Sequence, residues 1–350
     1  MPRRPVRRVA VVGGGVAGLA VAGAASASGS PLEVVVHEAQ PERAGYGTSL
    51  ALWPSARRAL AGLGALEAVT RAGLPVGPAA LHTIDGRALT REHTADLLAV
   101  PRPALLSALS AALPASVRVV EDEVTDPADL DADLVIGADG VRSRVRALVD
   151  PRAGERLETP WVALRGHLDR PPSPGAAGEY WGPGLLFGLV PSADGAYWFT
   201  THASALGPEP LDADEVIAEA RAAFAGAAPV VHEALGERGG ASATRLWVTP
   251  PLRRYVRGRF VVVGDAAHGM TPNLGRGACD ALLDAVSLGA TLRAGRSLAR
   301  WEARRLPPTQ VARVASGLLM RFALADRGHR ARDRLLGLSR AGAGRPAGTR

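Results

Sequence analysis

Apolar residues in this chain fall into short blocks separated by glycine, proline and acidic residues. Residues 9–12, 32–36, 134–136 and 260–263 are Val-, Ile- and Leu-rich runs. Each is too short for a helix and suits a strand buried on both faces of a parallel sheet. An Ala-rich stretch, 19–27, follows the first run and predicts a helix. Residues 185–190 and 196–201 read as two strands joined by Ser192-Ala193-Asp194-Gly195, and 212–225 as a helix with Asp and Glu in its first turn. The dipeptide Pro307-Pro308 is expected to break the chain before a basic helix from about Thr309 to Leu338. Residues 341–350, rich in Gly and Ala, are expected to be disordered. No internal repeat is evident.

The first block ends in Gly13-x-Gly15-x-x-Gly18, and the second ends at Glu38, twenty residues past Gly18. With strands on both sides, that spacing is the one a dinucleotide needs. Gly13 permits the strand-to-helix turn, Gly15 lets the backbone approach a pyrophosphate, and Gly18 lets helix and strand pack closely. Val16 and Ala17, between the second and third glycines, are cofactor-binding candidates with them, and the helix that follows presents free N–H groups and a partial positive charge to the phosphates. Glu38 can accept hydrogen bonds from both hydroxyls of a ribose. The same stretch, preceded by Arg3-Arg4 and Arg7-Arg8 and followed by Ala25-Ser26-Ala27, also resembles a secretory signal. The strand–glycine–helix reading accounts for more of it. No other apolar stretch reaches the twenty or so residues that a membrane span requires.

Two later strands run into motifs of their own. Residues 133–146 read DLVIGADGVRSRVR, with Asp139-Gly140 at the turn. Residues 259–285 read RFVVVGDAAHGMTPNLGRGACDALLDA, where Gly264-Asp265 ends a strand and Gly275-Arg276-Gly277 opens a helix. Each would be commonplace alone; their order after the glycine loop carries the information.

Composition narrows the classes further. Among 350 residues, 47% are hydrophobic and 21% charged, enough for a core of roughly two domains. The single cysteine, Cys279, excludes an internal disulfide and any multi-cysteine metal site, and no His/Glu ligand motif occurs, so no metal is expected. Cys279 reads as a small packing residue, and His268 as support for its loop. Net charge is +7, and every basic residue is Arg. Residues 1–8 hold four Arg and no acid, and residues 300–350 hold twelve Arg against three acids, so the remaining body is mildly acidic. A nucleic-acid binder should show the opposite pattern, and none is expected as a partner.

With these motifs in place, the chain resembles the FAD-dependent monooxygenases of the aromatic-hydroxylase class, the para-hydroxybenzoate-hydroxylase-like family. The resemblance rests on the glycine loop with Glu38, on Asp139-Gly140, and on Gly264-Asp265 with Pro272, Gly275 and Gly277. Gly45-Tyr46-Gly47-Thr48-Ser49-Leu50 is similar to the loop beside the flavin. Arg102 with Leu105 and Leu109 is similar to a segment that sets an Arg near the cofactor. Trp181-Gly182 and Phe187-Gly188 to Pro191 resemble the substrate-domain sheet. The family implies an α/β fold: a Rossmann-like FAD-binding domain with an interleaved α+β substrate domain and C-terminal helices. It implies that Glu38 binds the adenosine ribose, that Arg102 and Gly47 contact the cofactor, and that Asp265 bonds the ribityl or pyrophosphate part. Asp139 and Gly140 would support FAD and the approach of the pyridine nucleotide, and 272–277 would line the pyrimidine edge of the flavin. Arg276 departs from the family, which commonly has Gln there, and residues 117–133 are short for the family's hairpin.

The implied activity uses FAD, NADPH or NADH, and dioxygen to hydroxylate a small aromatic substrate through a C4a-hydroperoxyflavin, in the cytoplasm. No side chain is assigned a covalent catalytic role. Two alternatives stand beside it. One is a flavoprotein oxidoreductase without oxygen insertion; the W-x-W-x-I-P signature of tryptophan-type halogenases is absent. The other is a non-catalytic FAD-binding or partner-binding protein that docks through its basic C-terminal helix. The expected division gives 1–72, 101–158 and 250–300 to the FAD-binding domain and 73–100 and 159–249 to the substrate domain. Residues 301–340 would be a C-terminal helical segment and 341–350 a tail.

Overall fold

The computed structural model describes residues 6–40, 49–90, 92–93, 96–207, 209–236 and 240–342, with side chains as far as 337. The chain is of the α/β class and divides into two units. Residues 1–73, 97–158 and 247–317 form the first, and 74–96, 159–246 and 318–350 the second.

The first unit is built on a six-stranded sheet. Its order is Val256–Arg257, Phe260–Val262, Leu134–Gly137, Arg8–Val12, Glu33–Glu38 and Arg118–Glu121. Only the pairing of Val256–Arg257 with its neighbour is antiparallel. The N-terminal run is thus a strand, Arg8–Val12, at the sheet's centre, with Val11 opposite Val36 on one side and Ile136 on the other. Its β-branched residues are buried on both faces, as a central parallel strand demands. The helix Val16–Ala25 makes the crossover to Glu33–Glu38. Eight of its ten residues are buried, because the helix Gly277–Arg293 packs along it. Small residues allow that closeness: a Cβ on Gly289 would lie 2.5 Å from the Cβ of Ala24.

The second unit has its own six-stranded sheet, in the order Ser242–Val248, Leu157–Leu168, Gly195–Ala203, Leu185–Ser192, Gly178–Trp181 and Ala80–Thr83. The helices Ala213–Ala223 and Pro229–Gly236 cover one face. Val216, Phe224, Val231 and Leu235 pack there against Tyr180, Phe187, Leu189 and Trp198. Asp212 caps the first of these helices, accepting from the amides of Asp214 and Glu215.

The C-terminal region differs from the sequence expectation. One helix, Leu298–Ala323, runs straight through Pro307-Pro308, so no segment begins at 301. Both prolines are solvent-exposed, as are Ala303 and Arg304, whose carbonyls they leave without an N–H partner and which water can satisfy. The helix stops before Gly328, and a second, His329–Gly342, follows. It takes in the first two residues assigned to a tail; 343–350 lie outside the described residues. No helix among the described residues is long and apolar enough to cross a membrane.

Candidate active site

Three parallel strands of the first unit end side by side, with Val12 opposite Gly137 and Gly137 opposite Val262. Their C-terminal ends lead directly into Gly13, Asp139 and Gly264-Asp265. That edge of a parallel sheet is where an α/β fold collects a ligand.

At the glycine loop, two glycines are fixed by crowding and one by openness. Gly13 has φ +100°, and a Cβ there would sit 2.5 Å from the carbonyl oxygen of Ala138. A Cβ on Gly18 would overlap the carbonyl of Gly13 at 1.8 Å. Around Gly15, by contrast, none of the described residues lies within 4 Å of the position a Cβ would take. Gly15 is the N-cap of Val16–Ala25, with no side-chain cap and no acid in the first turn. The amide donors of Val16, Ala17 and Gly18 at this terminus therefore have no intrahelical acceptor. Glu38 reaches the loop: its Oε2 accepts from the amide of Gly14 at 2.6 Å and its Oε1 from that of Gln40 at 2.8 Å.

Asp139 and Gly140 stand next to Gly13. Asp139 Oδ2 accepts from the amide of Arg144 at 2.7 Å, whereas Oδ1 is sealed from solvent with no partner. Burial pushes this carboxyl above the usual range, against the hydrogen bonds from Ser143 and Arg144. Arg146, buried completely, secures the turn from beneath. Its guanidinium donates to the carbonyls of Ala153, Ala266, Val141 and Gly154, so it ties this turn to the segment after Asp265. Sequence reasoning passed over it, although Ser143-x-x-Arg146 directly after Asp139-Gly140 was the available signal.

Asp265 opens the short helix Asp265–His268 and is exposed, between the buried Gly264 and Ala266. A Cβ on Gly277 would lie 3.8 Å from Asp265 Oδ1, so Asp265 faces the N-terminus of Gly277–Arg293. Pro272–Leu274 forms a single 3-10 turn ended by Gly275, and Asn273 Oδ1 is a second sealed and unpartnered acceptor. The strand Ser49–Leu52 adjoins this loop: a Cβ on Gly275 would lie 3.6 Å from the Cβ of Ala51, and the Cys279 thiol in the helix beyond donates to the carbonyl of Ala51 at 3.4 Å. The same strand pairs with Leu98–Pro101, which places Arg102 at the next position, the first turn of Arg102–Ala111. Among the described residues its guanidinium has no hydrogen-bond or ion-pair partner. A cation at a helix N-terminus opposes the dipole, so its placement asks for an anion. Gly47 lies outside the described residues.

Beneath the loop runs a charge network that no motif announced. His268 Nε2 lies 2.6 Å from Asp284 Oδ2, and both side chains are fully buried. Asp284 also accepts from the Gly264 amide at 3.1 Å and from Arg305 Nε at 2.7 Å. Burial opposes the charge on His268, but the Asp284 carboxylate outweighs it and holds the imidazole above its usual value. Arg276 pairs with Asp280 one turn on, at 3.2 Å through both Nε and Nη2. Its charge is therefore compensated within its own helix. Burial raises the Cys279 thiol, which suits packing and not reactivity. Among the described residues no cluster of His, Cys, Asp and Glu can hold a metal ion.

The pieces fit a dinucleotide: an open backbone cradle at a helix N-terminus, an acid beside it, and sealed acceptors facing the strand ends. The family described as "FAD binding domain" matches residues 112–297. A monooxygenase/isomerase of aurachin C from Stigmatella aurantiaca is 33% identical, over 85% of each chain. The chain belongs to the family of FAD-dependent aromatic monooxygenases. A 3-amino-4-hydroxybenzoate 2-monooxygenase of Streptomyces cremeus is 34% identical, over 91% of this chain and 88% of its own. HpxO of Klebsiella pneumoniae, solved with FAD and uric acid, superposes with a TM-score of 0.81 at 25% identity, over 96% of this chain and 94% of that one. FAD is thus the cofactor of this monooxygenase. The family match takes in Asp139, Gly140, Asp265, Pro272, Gly275 and Gly277, and the glycine loop lies ahead of it.

Proposed function

We propose that this monooxygenase inserts one atom of dioxygen into a small, electron-rich aromatic or heteroaromatic ring, with NADPH or NADH as reductant in the cytoplasm. Bound FAD supplies electron transfer and the activation of dioxygen. The protein's residues supply binding, orientation and exclusion of water. The amides of Val16, Ala17 and Gly18 receive the pyrophosphate at Gly15, and Glu38 holds the adenosine ribose while fixing the loop through Gly14. Arg102 balances phosphate charge. Asp265 takes the ribityl hydroxyls, and Pro272, Gly275 and Gly277 line the pyrimidine edge, where the N-terminus of Gly277–Arg293 favours negative charge. Asp139 and Gly140 close the site from the neighbouring strand.

The single observation that carries the binding part is the empty backbone cradle at Gly15 beside crowded Gly13 and Gly18. The substrate class is supported by relatives named for urate, aurachin C and 3-amino-4-hydroxybenzoate. The test is to load the purified protein with FAD and follow NAD(P)H oxidation on a panel of ring-hydroxylated aromatics under labelled dioxygen. Product carrying one labelled oxygen is expected. Peroxide without labelled product across the panel refutes oxygen insertion.

A further inference from the structure

The sheet of the second unit has two unlike faces. Alternation along each strand puts Tyr180, Phe187 and Trp198 under the helices and Glu179, Gly188, Phe199 and Arg165 in one row on the other face. Leu81, opposite Glu179 on the edge strand, extends that row. The adjacent row, Trp181, Leu186 and Ala163, is covered by Met320, Ala323 and Leu324. Glu179 therefore borders the covered part, a carboxylate set among Leu81, Trp181 and Phe199.

Its geometry is specific. Trp181 Nε1 donates to Glu179 Oε2 at 2.7 Å. Oε1 takes no hydrogen bond among the described residues, yet it is not one of the sealed polar atoms, so it keeps some access to solvent on a half-buried residue. Beside it, Gly188 has no side chain and the Phe199 ring occupies the room: a Cβ there would lie 2.1 Å from Phe199 Cζ. An aromatic wall thus adjoins a clamped carboxyl with one free oxygen.

We propose that Glu179 recognises and deprotonates the ring hydroxyl of the substrate, which makes a hydroxylated aromatic or heteroaromatic the ligand of this sheet face. The inference rests on the monooxygenase reading above. In the step, the hydroxyl proton passes to Oε1, and the electron pair stays on the substrate oxygen, where it enriches the ring for attack by an oxygen electrophile. The proton then leaves Glu179 for water. Burial holds the Glu179 carboxyl above the usual carboxylate range, against the Trp181 hydrogen bond, which suits a base working near neutral pH. Among the described residues no cation pairs with it. Arg332 lies over the Trp181 ring and is engaged by Asp333, and Arg165 donates to the Thr244 hydroxyl. Arg321 is exposed, Asp85 is bonded by Thr83, and burial pushes Tyr197 up to about 12. A purely structural Glu179 would be needed only as the acceptor for the Trp181 N–H, a task glutamine performs equally well.

The test uses the FAD-loaded enzyme and E179Q. Salicylate, 4-hydroxybenzoate and 3-amino-4-hydroxybenzoate are each compared with the O-methyl ether, binding being read from flavin fluorescence between pH 5 and 9. Wild type should bind at least one hydroxylated probe ten- to a hundred-fold more tightly than its ether, the gain of a charge-assisted hydrogen bond. That advantage should grow as pH rises and the carboxyl ionises. E179Q should lose both the preference and its pH dependence while keeping the FAD dissociation constant and the unfolding temperature. A preference that survives in E179Q overturns the proposal, as does a wild type that prefers no hydroxylated probe. Labelled oxygen in product is scored separately. Turnover with a normal E179Q profile defeats this inference alone, and its absence in wild type defeats the broader reading.

Discussion

Gly15 and Gly18 belong to one loop, and the structure sets them opposite fates on gaining a methyl group. At Gly15 the backbone is extended, with φ −75°, and a Cβ would meet none of the described residues within 4 Å. Alanine there removes chain entropy from the unfolded state, a gain of about 0.4–1 kcal/mol. It is also the poorer N-cap, at a cost of about 0.5–1.5 kcal/mol. The two offset to within about 1 kcal/mol, so apo Gly15→Ala should unfold close to wild type. At Gly18 the new Cβ would overlap the Gly13 carbonyl at 1.8 Å, backbone against backbone. Relief needs helix and strand to separate by more than an ångström, and such overpacking costs about 3 kcal/mol or more. FAD binding should divide them differently. The Gly15 methyl fills the space a pyrophosphate needs and removes one or two charge-assisted hydrogen bonds, each about 1.5–3 kcal/mol, so FAD affinity should fall ten-fold at least. Denaturant unfolding of both apo variants, with FAD dissociation constants from fluorescence quenching, decides it. Gly15→Ala that binds FAD as tightly as wild type would refute the placement of the pyrophosphate.

Three further outcomes are expected. Glu38→Ala should weaken FAD ten- to a hundred-fold, since it loses ribose acceptors and frees the Gly14 amide; unchanged affinity would show that another group holds the ribose. Arg276→Gln should change stability by no more than about 1 kcal/mol, because its pair with Asp280 is partly exposed and Arg305 still stands 3.6 Å from that carboxylate; a large loss in thermal unfolding would contradict this. His268 has a raised folded pKa, so its pairing stabilises fully below its unfolded value of about 6.5 and is lost as pH rises through the folded value. His268→Gln should therefore cost about 3 kcal/mol near pH 6, with the gap from wild type closing on the alkaline side. A gap that stays constant from pH 6 to 10 would mean that His268 is neutral throughout.

The backbone of the site was legible because its signals are local. Strand, glycine spacing and the acid at Glu38 lie within thirty residues, and each glycine answers to a neighbour of fixed geometry. The later motifs, Asp139-Gly140 and Gly264-Asp265, stand at the ends of strands whose apolar runs were equally plain. What sequence missed depends on distance along the chain. Arg146 meets the carbonyl of Ala266, 120 positions away, and the local Ser143-x-x-Arg146 pattern marks a turn without showing that its arginine is buried in an Arg-rich chain. Pro307-Pro308 read as a break because proline normally ends a helix, but exposure lets water take over the abandoned carbonyls. No sequence motif singles out Glu179; only the register sets it between Leu81 and Gly188.

The charge network shows how the helix Gly277–Arg293 can carry acids and still suit the proposed anionic ligand at its N-terminus. Asp280 and Asp284 stand in its first two turns, where carboxylates ordinarily satisfy the helix dipole and spend its positive field. Left alone, they would repel negative charge arriving at Gly275–Gly277. Each is instead matched by cations: Asp280 by Arg276 and Arg305, and Asp284 by Arg305 and His268. Asp284 gives its remaining capacity to the Gly264 amide, and so fixes the turn that presents Asp265. The acids thus anchor the strand end and the helix to each other, while three cations offset two carboxylates and leave the field of the N-terminus to the ligand. An uncompensated Asp280 would undo this, so on the proposed reading Arg276 and Arg305 act on the loop at Gly275–Gly277 through the carboxylate they neutralise.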